Sequence, residues 1–157
     1  MTVSKGITAE SVLHLEKNGE SQFVVAEKLP PSWITCPPFY MYLGATLLHL
    51  MDGECTLQLD VRPELMNSKG DLHGGAITAG FDIALSQAVR SSYPRTVNLS
   101  TISLTINYLA PSSKVVKIFA KVVRSGSSIA YAEGEALDDS GRIISRVSGT
   151  YRIIRQK

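Results

Sequence analysis

The sequence predicts an α+β domain in which one long helix lies along a single antiparallel sheet of about five strands. Three observations carry this. An apolar-polar alternation of period two runs over residues 54–61, a stretch with Asp82 as its only charge runs from Gly74 to Val89, and four more strand patterns divided by turn residues fill the chain from Val97 to Ile154. A helix and a sheet each expose one apolar face, and covering one with the other is among the few stable layer arrangements.

At 157 residues the chain is long enough to bury a core without metals or disulfides, and it reads as one domain with an N-terminal extension. Apolar residues make up 44% and charged residues 19%, with a net charge of +2, which excludes a disordered polyelectrolyte and a strongly basic nucleic-acid binder. Cys36 and Cys55 form neither a zinc pattern nor a Cys-x-x-Cys motif, and His14, His49 and His73 share no ligand spacing. No metal and no cofactor are therefore expected. The uncharged run Phe39 to Met51 has 13 residues, too few to cross about 30 Å of hydrocarbon, and it starts too late for a signal peptide. The expected address is intracellular, cytoplasmic or mitochondrial, with no membrane partner.

Each element has a local reason. Thr8-Ala9-Glu10-Ser11 is able to start a short helix continuing through Val12, Leu13 and Leu15. Pro30-Pro31 and Pro37-Pro38 forbid a helix through residues 28–38, which read as a loop ending an extension over 1–38. Phe39, Leu43, Leu47 and Leu50 recur at helical spacing, so the domain over 39–157 is expected to open with a buried helix at 39–50, stopped by Gly53. Cys55, Leu57, Leu59 and Val61 then alternate as the inward face of a strand. A polar loop over 63–72 leads to His73-Gly74-Gly75 and the long helix, which is aliphatic nearly all round and so is expected to be buried on most sides. Beyond it, Ile102, Leu104, Ile106 and Tyr108 share one face of a strand ending at Pro111. Turns at Ser125-Gly126-Ser127 and Asp138-Asp139-Ser140-Gly141 divide the last three strands.

Asp82 stands alone in that apolar helix, and an unpartnered buried carboxylate is costly. It either faces a solvated groove or pairs with Thr78 or Arg90, or it sits at a pocket edge to act on a substrate or water. Nine residues earlier, His73 and two glycines mark the change from loop to helix. Unpaired N–H groups at a helix start, bare of Cβ atoms, suit an anion or a developing oxyanion, although a tight turn explains the same glycines. No P-loop, dinucleotide fingerprint or Gly-x-Ser-x-Gly elbow is present, and Cys55 falls on a buried strand phase. A carboxylate and an oxyanion hole remain.

The segment Asn67-Ser-Lys-Gly-Asp-Leu-His73-Gly74-Gly75-Ala-Ile-Thr-Ala-Gly-Phe-Asp82 resembles the signature of hotdog-fold acyl-CoA thioesterases, in the subgroup with the phenylacetate-pathway and small mitochondrial enzymes. Val97 to Asn107 and Tyr108-Leu109-Ala110-Pro111 match the next element of that family, and the resemblance covers roughly residues 40 to 155. It implies a long central helix wrapped by a curved antiparallel sheet of about five strands or more, and edge-to-edge homodimers or homotetramers with sites at the dimer interface. It also implies acyl-CoA hydrolysis: the Gly74 N–H polarises the thioester carbonyl, His73 supports that loop, Asn67 orients water or thioester, Asp82 of the partner subunit is the base or a nucleophile forming an anhydride, and Thr101 holds the water. Gly75 joins the substrate site, and Arg124, Ser125 and Gly126 contact coenzyme A, where a solvated hairpin end is the plain alternative. A stand-alone acyl-CoA-binding module and a hydratase on the same fold are the competing readings. Ala79, Gly80, Ile83 and segment 39–50 are expected to shape the acyl pocket.

Overall fold

The computed structural model describes residues 13–17, 20–24, 38–94 and 96–155. In chain order the elements are β1 (Leu13–Lys17), β2 (Glu20–Val24), α1 (Pro38–Leu43), β3 (Ala45–Met51), β4 (Glu54–Asp60), a one-turn 3-10 helix (Pro63–Leu65), α2 (Gly74–Ser91), β5 (Val97–Tyr108), β6 (Val115–Ser125), β7 (Ile129–Asp138) and β8 (Ile143–Arg155). Strands β3 to β8 form one antiparallel sheet in the order β3-β4-β6-β7-β8-β5, curved around α2. This is the hotdog arrangement, with six strands in the main sheet.

Two expected helices are corrected. Leu13 and Leu15 lie in β1, which pairs with β2 with Lys17 opposite Glu20, so no helix runs through them; its expected start at Thr8 and the loop over 28–37 lie outside the described residues. The helix expected over 39–50 ends at Leu43. Gly44, at φ 68°, closes α1 by donating its N–H to the Tyr40 carbonyl, and residues 45–51 continue as β3. Asp52 and Gly53 both have positive φ, 47° and 86°, so they form the tight turn of a β3-β4 hairpin rather than a helix stop. Cross-strand pairing outweighs the helical spacing of Leu47 and Leu50.

The core lies between α2 and the concave sheet face. Ile77, Phe81, Ala84, Leu85, Ala88 and Val89 on α2 meet Leu57 and Leu59 from β4 and Val116 and Ile118 from β6, all buried. Gly80 belongs to this contact: a Cβ there would come within 2.5 Å of Ile118 Cδ1 and 2.9 Å of Leu59 Cδ1. It is therefore a core position and not the pocket-lining one expected, whereas Ala79 and Ile83 lie on the half-buried opposite face. That face also carries Asp82, Ser86 and Arg90, so α2 is fully buried on one side only.

In β5 the pairing with β8 shifts between Thr101 and Ser103. This bulge changes which parity faces inward. Val97 is buried and Leu99 half-buried before it, Leu104 and Ile106 are half-buried after it, and Ile102 itself is exposed, against its expected place on the inward face. Thr101 thereby turns toward α2.

Candidate active site

The residues singled out in the sequence fall into two groups at two levels of the sheet. The first surrounds the start of α2. Asn67 pins the preceding loop: its Oδ1 accepts the N–H of Lys69 at 2.8 Å and of Asp71 at 3.2 Å. Its side-chain carbonyl is thus spent on the loop, and the amide NH2 is left to donate outward. The loop is tied further by Leu72 N–H to Ser112 O and His73 N–H to Leu65 O.

His73 is the N-cap of α2, and its Nδ1 accepts the Gly75 N–H at 2.9 Å. Accepting there places the ring proton on Nε2 and leaves the Gly74 N–H without an acceptor among the described residues. Gly75 is consequently part of the cap, and Gly74 carries the open donor at the positive end of an 18-residue helix. The ring of Tyr108 packs on Gly74, 3.3 Å from where a Cβ would stand. Its hydroxyl is 2.6 Å from Thr78 Oγ1 and 3.2 Å from the Gly74 carbonyl, and Thr78 Oγ1 donates to the same carbonyl at 3.0 Å. This triangle locks the first turn. The sequence places Tyr108 on a strand face and in the Tyr108-Leu109-Ala110-Pro111 match but not at the site, because its partner Thr78 lies 30 positions away.

The second group centres on Asp82. Neither expected partner holds it: Thr78 is committed as described, and Arg90 donates to the Val97 carbonyl at 3.4 Å. Burial lowers the Arg90 pKa from its usual value. Asp82 Oδ1 accepts instead from Thr101 Oγ1 at 2.9 Å, with the Tyr151 hydroxyl 3.5 Å away. Asp82 forms no ion pair among the described residues. Among the described residues the carboxylate is held by neutral donors alone.

Thr101 pairs across the sheet with Tyr151, Tyr151 with Ala130 and Ala130 with Ser125. The turn after β6 therefore lies at the level of Asp82. There Gly126 N–H bonds Ile129 O at 3.0 Å, Tyr93 OH donates to Gly126 O at 2.8 Å, and a Cβ at 126 would stand 2.6 Å from Ile129 O, so glycine is required. Beside it Arg124, Gly126, Ser127, Ser128 and Thr150 line a shallow cavity of about 490 Å³. Another concavity, of about 700 Å³, lies on the outer sheet face among Glu54, Phe119, Tyr131, Glu133 and Arg146, and no α2 residue lines it.

The two groups do not meet within one chain. Gly74 and Asp82 are eight residues apart on α2, about 12 Å along its axis. Thr101 and Tyr108, the β5 residues touching each group, are roughly 20 Å apart at strand spacing. Among the described residues no cluster of His, Cys, Asp and Glu is able to hold a metal. Burial pushes the Cys55 thiol up to about 12, too high for a nucleophilic thiolate. No described helix is long and apolar enough to cross a membrane.

Residues 69–145, which span α2 and most of the sheet, match the family model described as "Thioesterase superfamily". A Halobacterium salinarum protein that carries the name "Putative esterase" is 30% identical over 141 residues, 83% of this chain and 93% of that protein. Among solved structures, the phenylacetic acid degradation protein PaaI of Thermus thermophilus (a mutant form) is 26% identical with a TM-score of 0.68, over 74% of this chain and 98% of that one. A thioesterase family protein of Silicibacter pomeroyi superposes with a TM-score of 0.76 at 23% identity, over 80% of this chain and 95% of that one. Likeness at 30% identity across nearly the whole length of a relative, on the same helix and sheet that carry these two groups, means that the chain belongs to the thioesterase superfamily of hotdog-fold hydrolases.

Proposed function

We propose that the protein hydrolyses acyl-CoA thioesters to a free carboxylic acid and coenzyme A, at a site shared by two copies of the chain. The observation that carries this reading is the separation of the open Gly74 donor from the Asp82 carboxylate. Each is half of the apparatus that thioester hydrolysis needs, and one chain holds them too far apart to serve one carbonyl.

Strand β5 lies at the sheet edge, with its outer backbone unpaired by the sheet. If two β5 strands pair antiparallel about a twofold axis near residues 104 and 105, Thr101 of one chain falls opposite Tyr108 of the other. Asp82 of one copy then approaches Gly74 of its twin. In this assembly the Gly74 N–H takes the thioester oxygen and the Asn67 amide donates to the carbonyl or the water. Asp82 removes a proton as the water attacks, and the tetrahedral oxyanion is held at the N-terminus of α2. Collapse expels the coenzyme A thiolate, which takes the proton back from Asp82. Thr101 donates a hydrogen bond to Asp82 Oδ1 and has lone pairs left to accept one from the water. Arg124, Ser125 and Gly126, at the level of Asp82, are assigned to the pantetheine or nucleotide part of coenzyme A.

Thiol release measured over short, medium, long and aryl acyl-CoAs tests the reading. Asp82→Ala is expected to lower kcat by about 100-fold or more while the fold survives, since the isolated carboxylate serves chemistry rather than packing. No turnover of any of them above that variant sinks the proposal. Tight coenzyme A binding without hydrolysis would instead identify a binding module.

A further inference from the structure

Tyr151 is wholly buried in β8, on the inward face with Val147 and Ile153. A buried phenol needs an acceptor for its proton. Its one partner among the described residues is Asp82 Oδ1 at 3.5 Å, the outer limit of a hydrogen bond. Thr101 donates to the same oxygen at 2.9 Å and is the cross-strand partner of Tyr151, so a single rung of the sheet delivers both donors. Oδ2 receives no bond among the described residues. The ring is seated by Gly149, where a Cβ would come within 3.0 Å of Tyr151 Cε2 and 2.9 Å of Leu104 Cδ2. Burial first, and the neighbouring Asp82 second, push the phenol pKa far above its usual value, so the hydroxyl stays a donor. The charged group nearest on the same helix is Arg90, two turns on and bonded to the Val97 carbonyl; Thr101, from β5, is neutral.

We infer that Tyr151 is a positioning residue for the Asp82 base: with Thr101 it holds Oδ1, so that Oδ2 is the oxygen that takes the proton from water. The inference rests on the hydrolytic reading above. Two donors on one oxygen stop the carboxylate from rotating and make its two oxygens inequivalent, which directs its free lone pairs to the open side of α2. Neither donor alone fixes both the torsion and the tilt of the group, and either alone retains part of the effect.

The test compares wild type, Tyr151→Phe, Thr101→Val and the double variant in acyl-CoA hydrolysis, together with the carboxyl-carbon resonance of Asp82 at one neutral pH. Tyr151→Phe keeps the ring and the packing. It is expected to lower kcat about two- to fivefold, at most the usual worth of one hydrogen bond because the contact is long, and leave KM within about twofold. The double variant should lose more than the product of the two single losses. The Asp82 carboxyl-carbon resonance should move in Tyr151→Phe, because a donor to Oδ1 is lost. A Phe variant with wild-type kcat and an unmoved Asp82 resonance overturns the inference. A wild-type protein without turnover removes the hydrolytic reading, and the Asp82 resonance, read without turnover, then decides alone whether Tyr151 holds the carboxylate.

Discussion

Gly74 and Gly75 stand side by side for different reasons. Gly75 gives its N–H to His73 Nδ1 and lies close beside that ring, where a Cβ would stand 3.0 Å from Nδ1 and the ring would have to yield by a few tenths of an ångström. Gly74 keeps its N–H open and lies against the Tyr108 ring. Gly75→Ala is therefore expected to shift the His73 ring on its cap, and because alanine gains roughly 1 kcal/mol over glycine inside a helix the net change in chemical denaturation should be small. His73→Ala should cost about 1 kcal/mol, the usual loss of an N-cap, by leaving the Gly75 donor open. Both should lower kcat more than they raise KM, because the Gly74 donor acts on the oxyanion and its aim depends on the first turn of α2. Unchanged kinetics in both would remove the cap from the mechanism. The sequence carried the His-Gly-Gly string, whereas the division of labour within it depended on which N–H the imidazole turned to.

Among the elements, the β7-β8 turn shows a local sequence building its own electrostatics. Asp138 is drawn down to about 2 chiefly by the Ser140 hydroxyl, and further by the Arg142 N–H, the Arg142 guanidinium and the Ser140 N–H. A carboxylate lowered by folding stabilises the protein above its unfolded value near 3.8, and that contribution disappears as pH falls through about 2. Thermal midpoints of wild type and Asp138→Asn should therefore differ at pH 5 and converge between about pH 4 and 2. A gap that persists at pH 2 would show that the turn owes nothing to the charge. This turn was legible because its residues are neighbours in the chain. Strand β3 was not: Leu47 and Leu50 sit at helical spacing, and only the Asp52-Gly53 dipeptide, with positive φ at both residues, carried the hairpin signal. The inward face of β5 was misread at Ile102 because a bulge leaves no periodic trace.

At the scale of the whole molecule, the two half-sites make a prediction about stoichiometry. Gly74→Val, which would block the oxyanion donor, and Asp82→Ala should each abolish turnover in a homodimer. Co-expressed and co-purified, the two variants should recover up to about a quarter of wild-type activity, because a mixed dimer has one site carrying both lesions and one site carrying neither. No recovery in verified mixed dimers would place both groups at a site within one chain. The edge position of β5 and its length from Val97 to Tyr108 make such pairing geometrically available.

By itself the sequence determined the α+β layer, the limits of α2 to within two residues, the strands that follow it and the anomaly of one acid in an apolar helix. These depend on periodicity and turn chemistry, which are local. Only the tertiary structure decided what Asp82 binds, which parity of β5 faces inward and that Gly80 serves packing. Thr101 and Tyr151 reach Asp82 from positions 19 and 69 residues away, and such contacts exist only once the sheet has closed around the helix. The bulge at Thr101 turns that hydroxyl toward the carboxylate, and no pattern in the chain announces where a strand will slip by one residue.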